Sequence, residues 1–484
     1  MKDLVVIIYF ACLAWVALYG IHIYWLLWLH WKGRNATRKN SHEHELQGYP
    51  HVTVQLPVYN EKRVAGRLLK AAASLDWPRD KLQIQILDDS DDDTTRILAD
   101  ETARLRELGV NVEHIRRPDR DGYKAGALAF GMNTARGEFV AVFDADNVPR
   151  SSFLRQTIPE FEDARVGMVQ ARWSFLNRSE SVLCRAQALY LDAHFYVEQA
   201  ARNSGGLFMN FNGTAGVWRK IAIEEAGGWQ FDTLTEDLDL SYRAQMTGWQ
   251  MRYLDHVDVP SELPGSIRGF KSQQYRWARG AIETARKILP RVVRSRLPWK
   301  IRLASCFHLT QKTVSLALGL LSLLLIPALY FRIETGWLKV LVVDLPIFLA
   351  GTGSMTLFYG AAWKRSRETA PKGDKYLLPA LTSIGIGLAV NNSLAVLSGL
   401  LSRERVFVRT PKSGSDQSQK QAIPRTYRIR TDRTVWVESL LALYAGAAAV
   451  FAFQLDLYFT VPFMFTFAFG YSYLSVLSWR ESYA

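Results

Sequence analysis

The sequence predicts an α/β domain set between membrane helices, that is, an integral membrane protein. Apolar residues make up 49% of the 484-residue chain, but they concentrate at 4–31 and through most of 303–479. Between these stretches, over 32–302, short apolar strand patterns alternate with helical ones, the signature of a sheet with crossover helices. Polar residues also gather where strands end. Asp88 and Asp89 close one apolar run and Asp144 and Asp146 another, and ligands of open α/β sheets bind outside such strand ends.

Residues 4–31 are apolar and aromatic-rich and run into Trp31-Lys32-Gly33-Arg34. The run is too long for a signal-peptide core and reads as an uncleaved anchor, whose positive flank places the following domain in the cytosol. Further spans are expected at 304–331, 340–363, 435–455 and 457–479. The run 376–402 is also apolar, but both of its flanks, 364–375 and 403–433, are basic. A single crossing would place one of them outside, so 376–402 is expected to lie at the interface, with Asn391, Asn392 and Ser393 toward the polar side. This gives five spans, the N-terminus outside and the C-terminus inside. The parts are then an anchor at 1–31, a cytosolic domain at 50–260, interfacial amphipathic helices at 261–302 and a membrane region at 303–484.

Within the domain, strands are expected at 51–56, 82–87, 110–115 and 139–143, with helices at 61–75, 93–108 and 124–135. Strictly alternating elements imply a parallel sheet with right-handed crossovers. Formal net charge is +13. The cations cluster beside apolar runs, at 286–302, 364–375 and 403–433, and no nucleic-acid-binding motif stands out. The expected partner is therefore a lipid bilayer and not nucleic acid. Cys12, Cys184 and Cys306 are far apart and share no metal-ligand spacing, so neither a disulfide framework nor a zinc site is expected.

Asp144-Ala-Asp146 offers two hard oxygen ligands at a strand end, a set suited to Mg²⁺ or Mn²⁺ bound with a nucleotide diphosphate. Thr235-Glu236-Asp237 precedes a helix start. Asp237 is a candidate general base, although Glu236 and Asp237 could equally serve the helix dipole. Gln273-Gln-Tyr-Arg276-Trp277 falls on an amphipathic helix. Its Arg276 could hold a phosphate by a charge-assisted fork and Trp277 could stack on a sugar ring, or both could be membrane-interface anchors.

Taken in order, Asp88-Asp89, Lys124-Ala-Gly126, Asp144-x-Asp146, Phe211-Asn212-Gly213-Thr214, Thr235-Glu236-Asp237 and Gln273-x-x-Arg276-Trp277 resemble the processive family 2 glycosyltransferases: cellulose, chitin and hyaluronan synthases. Gln55-Leu-Pro-Val-Tyr-Asn-Glu61, Phe211-Asn-Gly-Thr-Ala-Gly216 and Ser261-Glu-Leu-Pro264 resemble the plant cellulose-synthase-like mannan and glucan synthases in particular. The resemblance implies a GT-A fold and inverting transfer of a hexose from UDP-glucose or GDP-mannose to a growing β-linked polysaccharide, with translocation. It implies that Asp88 and Asp89 contact the nucleoside. Lys124, Gln273 and Arg276 would hold the rest of the donor, and Asp144 and Asp146 the donor and its metal. Asp237 would act as base beside Glu236, and Trp277 with Phe211, Asn212, Gly213 and Thr214 would bind the acceptor. Phe407-Val-Arg409-Thr410-Pro-Lys412 resembles the gating loop of bacterial cellulose synthase, with Arg409 departing from its pattern.

Other readings are a non-processive glucosyltransferase acting on a lipid such as ceramide or diacylglycerol, and a transporter that only binds nucleotide sugar. Asp237 and Trp277 argue against the transporter, since binding alone needs no base. The expected location is the bacterial inner membrane, or the Golgi membrane in a eukaryote. Self-association into a homo-oligomer is left open.

Overall fold

The computed structural model describes residues 2–37, 48–333, 345–368, 370–402, 412, 414, 434–458 and 460–483. The expected span at 340–363 and the basic loop 403–433 fall partly outside them. So do Phe407 and Thr410.

The domain is built on a seven-stranded sheet in the order β3-β2-β1-β4-β6-β5-β7. β1 (Val52–Val58) pairs in parallel with β2 (Leu82–Asp88) and β4 (Phe139–Val142), and β2 with β3 (Val112–Ile115). The helices between them, Ala65–Ala73, Thr94–Glu107 and Tyr123–Met132, lie within or close to the sequence expectations. The sheet is mixed, however, where an all-parallel one was expected: β6 (Gly216–Arg219) runs antiparallel to both β4 and β5 (Val166–Phe175), while β5 pairs in parallel with β7 (Gln250–Ser261). The segment 211–215 delivers β6 beside β4, and its turn requires positive φ at Gly213 and Ala215.

Val52, Val54 and Leu56 pack one face of β1 into the core. The alternate residues Thr53, Gln55, Gln83 and Gln85 are buried as well. They bond one another and Thr134: Thr53 Oγ1 donates to Gln83 Oε1 at 2.8 Å, Gln55 Nε2 to Gln85 Oε1 at 3.1 Å, and Gln85 Nε2 to Thr134 Oγ1 at 3.0 Å. A buried polar ladder of this kind is tolerated only when its groups find partners. The helix Tyr123–Met132 closes over it, and Gly131 is what lets it approach, since a Cβ there would lie 2.6 Å from Gln55 Nε2.

Among the described residues, four helices are long and apolar enough to cross a membrane: Asp3–Gly33, Leu345–Ser366, Thr434–Gln454 and Val461–Ser482. The expected span 304–331 is not one helix. It breaks at the 3₁₀ turn Gln311–Thr313 and again at Leu324, giving Trp299–Thr310, Val314–Leu323 and Leu325–Ile333. At the first break, Thr313 Oγ1 donates to the Thr310 carbonyl at 2.7 Å, and such back-bonding bends helices. The apolar run 376–402 is a pair, Lys372–Gly387 and Ala389–Leu401, bent by 44°.

Both flanks of that pair touch the α/β domain. Asp374 is buried between Arg178, at 3.0 Å, and Arg185, at 2.7 Å. On the other side, Lys412 reaches Asp146 at 2.9 Å.

Candidate active site

The carboxyl ends of β1, β2 and β4 open on a cavity of about 240 Å³ whose lining includes Asp89, Asp144, Asp146, Asp237, Arg276 and Trp277. Three separate parts of the chain meet there. β4 ends at Val142 and presents Asp144 and Asp146. The helix Glu236–Met246 starts at the cavity with Glu236 and Asp237 in its first turn. The helix Ile267–Arg294 crosses it and contributes Gln273, Arg276 and Trp277.

The floor of the cavity is an ionic cluster. Lys124 pairs with Asp144 and donates to the Gly213 carbonyl at 2.7 Å. The Asp144 N–H donates to Thr214 Oγ1 at 2.8 Å and to Asn147 Oδ1 at 2.9 Å, which holds the strand end in place. Gly213 has φ +79°, and a Cβ there would stand 3.0 Å from Asp237 Oδ2. The left-handed backbone favours glycine there, and a Cβ would crowd the Asp237 carboxylate.

Burial, and next the neighbouring Glu236 charge, push the Asp237 carboxyl up to about 7. Glu236 is raised as well, by burial, against the pull of Lys124. Lys124 is held above the ordinary range because the Asp144 and Glu236 charges outweigh its burial. Burial lowers the Arg276 guanidinium to about 10, so it remains a cation at neutral pH.

The rim is built differently. Asp146 Oδ2 accepts from Ser261 Oγ at 2.7 Å, from the Glu262 N–H at 2.9 Å and from Lys412 Nζ at 2.9 Å. Lys412 also donates to the Glu262 carbonyl at 2.9 Å, and Glu262 is clamped by Arg67 at 2.7 Å. Burial would raise Asp146, but the Lys412 charge outweighs it and holds the carboxyl below its ordinary range. Oδ2 thus accepts three hydrogen bonds, and a cation at that oxygen would compete with the Lys412 ammonium.

The donor set suits Mg²⁺ or Mn²⁺ only in part. Among the described residues no group of three or more His, Cys, Asp or Glu could hold a metal alone. Two carboxylates fit an ion whose other ligands are diphosphate oxygens and water.

Residues 50–280 match the model of a family described as glycosyltransferase like family 2. Over 390 residues the chain is 36% identical to a probable glucomannan 4-beta-mannosyltransferase 4 of Oryza sativa subsp. japonica, a match covering 78% of this chain and 69% of that one. The chain belongs to glycosyltransferase family 2. It is 42% identical over 281 residues to a glucomannan 4-beta-mannosyltransferase 2 of Arabidopsis thaliana, covering 56% of this chain and 53% of that one. Among solved structures it is similar to a mannosyltransferase from Pyrobaculum calidifontis in complex with GDP-Man and Mn2+. That likeness has a TM-score of 0.52 at 18% identity, with 80% of this chain and all 100% of the other covered, and it shows the GT-A-like fold alone. The protein is a hexosyltransferase of the polysaccharide-synthase type.

The family 2 site gathers most of the residues its motifs point to. Asp89, Lys124, Asp144, Asp146, Asn212, Gly213, Thr214, Glu236, Asp237, Gln273, Arg276, Trp277 and Lys412 all line the cavity. Asp88 and Phe211 do not. Asp88 turns inward, accepts from the Ser90 N–H at 2.9 Å and meets His114 Nε2 at 2.9 Å. Burial would raise its carboxyl, but those bonds outweigh it and hold it low. Phe211 is fully buried against Trp218 and Trp229.

Sequence reasoning assigned no role to Tyr59, Arg120 or Glu262, which also line the cavity. Arg120 lies over the Tyr59 ring at 3.2 Å. Their signal was position alone: Tyr59 follows β1 and Glu262 follows β7, each just past a strand end.

Proposed function

We propose that this protein transfers mannose from GDP-mannose to the end of a β-1,4-linked mannan-type chain, at the cytosolic face of a membrane. The observation that carries the chemistry is that Asp237, an acid raised toward neutrality, shares one cavity with Arg276 and the Asp144–Lys124 pair. The similarity to glucomannan 4-beta-mannosyltransferases of rice and Arabidopsis favours a mannosyl donor over UDP-glucose.

In this reading the acceptor hydroxyl loses its proton to Asp237 Oδ2 as its oxygen bonds the anomeric carbon from the face opposite the leaving group. The bond from that carbon to the diphosphate breaks, its electron pair leaves with the nucleoside diphosphate, and the configuration inverts. Lys124 and Arg276 stabilise the departing charge. Asp144 and Asp146 would hold Mg²⁺ or Mn²⁺, which supplies further neutralisation of the diphosphate. Trp277 offers a face for the acceptor ring, and Asp89 and the Arg120–Tyr59 pair border the nucleoside end. A cation held at Asp146 Oδ2 would compete there with the Lys412 ammonium. The gating role expected of Phe407 and Thr410 lies outside the described residues.

Four apolar helices and a bent pair support membrane embedding, and a polar chain made beside them needs a protein-lined way out. The contacts of Asp374 and Lys412 with the same domain support an apolar pair, 372–401, that enters and returns without crossing. Single cysteines at 367 and 414 should then both be labelled from the cytosolic side, and labelling of one from the outside would refute the return. The decisive assay incubates the purified protein with labelled GDP-mannose or UDP-glucose and digests the product with linkage-specific glycanases. A β-1,4-mannanase-sensitive polymer is expected. A glucan would overturn the donor assignment, and a lipid carrying one sugar would overturn the polymerase reading.

A further inference from the structure

The helix that begins at Val182 changes pitch at Ala193–Gln199, where the chain forms a π-helix before returning to α-helix at Ala200–Ser204. Such a turn gives up regular hydrogen bonding and is frequent at functional sites. None of its residues lines the cavity, yet its polar side chains are directed at the segment that does.

His194 bridges Glu198 Oε2 and Asn212 Oδ1, each at 2.9 Å. Glu198 is fixed in turn by Arg202, at 3.0 Å, and both are buried. Gln199 Nε2 donates to the Asn210 carbonyl at 2.8 Å, and Arg202 donates to the Phe208 carbonyl at 3.3 Å. Three side chains, His194, Gln199 and Arg202, thus cradle the segment 208–212, and Glu198 ties the first to the last.

The cradle ends on one atom. Asn210 Nδ2 donates to the same Asn212 oxygen at 2.8 Å, and the Asn212 N–H donates to Gln170 Oε1 at 2.9 Å. The amide is therefore held with its oxygen committed. Its nitrogen, Asn212 Nδ2, is buried and has no partner. A buried, unpartnered amide donor is costly, and in a native site it usually awaits a ligand or a water. Asn212 lines the cavity directly before Gly213, which abuts Asp237.

We propose that the π-turn Ala193–Gln199 is a positioning element for the acceptor. His194, anchored on the Glu198–Arg202 pair, holds the Asn212 amide so that its free N–H donates to a hydroxyl of the terminal acceptor sugar beside Asp237. The inference rests on the glycosyltransfer reading above and adds to it a residue, His194, that acts through another and touches no substrate. The donor end of the cavity, at Asp89 and Arg120, takes no part in it.

The test separates transfer to a sugar from transfer to water. Full-length protein is given labelled GDP-mannose or UDP-glucose, with and without a β-1,4-linked mannan oligosaccharide, and both glycosyl transfer and donor hydrolysis are measured. In His194→Ala the ratio of transfer to hydrolysis should fall about tenfold, the scale of one lost hydrogen bond to a bound ligand, chiefly through a higher KM for the oligosaccharide. Asn212→Ala should give the same split, and the double variant should be no worse than either single one. His194→Gln, which can still reach Asn212, should recover part of the ratio. Melting temperatures report on folding, and Asn212→Ala, which leaves the ionic anchor intact, keeps the test valid if His194→Ala is poorly folded. Equal losses of transfer and hydrolysis, or additive losses in the double variant, would overturn the positioning role. Wild-type protein that moves sugar from neither donor, to neither oligosaccharide nor water, would overturn the functional reading and this inference with it.

Discussion

Asp144 and Asp146 are two residues apart, yet they belong to different regions of the site. The floor around Asp144 is assembled by the α/β core: Lys124 comes from the helix after β3, Gly213 from the turn before β6, and Glu236 and Asp237 from one helix start. Its counter-charges are built in. The rim around Asp146 takes its cation from Lys412, 266 positions away in sequence, beyond the apolar helices. The floor is pre-organised, whereas the rim is closed by a segment whose ammonium would compete with a cation bound at Asp146 Oδ2. Floor substitutions should therefore appear in turnover and rim substitutions in cation affinity.

The largest expected effect tests the floor. Asp237→Asn keeps the shape of the side chain and removes the base, and should lower kcat by roughly 10²-fold or more with donor affinity nearly unchanged. Binding of labelled donor at equilibrium, set beside turnover, checks both halves. Unaltered turnover would remove Asp237 from the mechanism.

The pH profile tests the same group without mutation. Asp237 is raised to about 7, and a base works only when deprotonated. Activity should therefore be full above that value and fall about tenfold per unit below it. A kcat that stays flat down to pH 5 would mean that the ionisation is not coupled to the chemistry.

At the rim, Lys412→Met should tighten Mn²⁺ binding to the protein with GDP bound about tenfold, because a charge-assisted bond that competes for Asp146 is gone. Electron paramagnetic resonance titration reads this without any turnover. Equal or weaker binding would erase the distinction between the two regions.

The smallest effect concerns Asp88 and Asp89, adjacent residues of which only Asp89 lines the cavity. Asp88→Asn should lower stability by about 1–3 kcal/mol, because it weakens buried bonds to His114 and Ser90, while leaving donor affinity unaltered. A selective loss of donor affinity would return Asp88 to the binding surface.

Much of the site could be read from the chain because its signals are local. An apolar strand ending in Asp, or an acidic first turn of a helix, is set by residues close in sequence, and parallel strands bring such ends to one edge. This is why Asp89, Asp144, Asp146 and Asp237 were found, and why Gln273, Arg276 and Trp277 could be placed on one helix. The motif order also pointed to family 2. Periodicity reported less well what each residue faces. Asp88 and Asp89 look alike in sequence, and only packing turns one inward to His114 and leaves the other at the cavity. Gln83 and Gln85 read as the polar side of a strand, but the helix Tyr123–Met132 buries them.

By itself, then, the sequence determined the α/β domain, the apolar segments around it and the acidic strand ends, since each depends on near-neighbour chemistry. Tertiary structure alone decided the antiparallel insertion of β6, the break at Gln311–Thr313, the π-turn beneath Asn212 and the seating of Lys412 on Asp146. Each of these depends on surfaces meeting across long stretches of chain, and on whether a buried charge or amide finds its partner there.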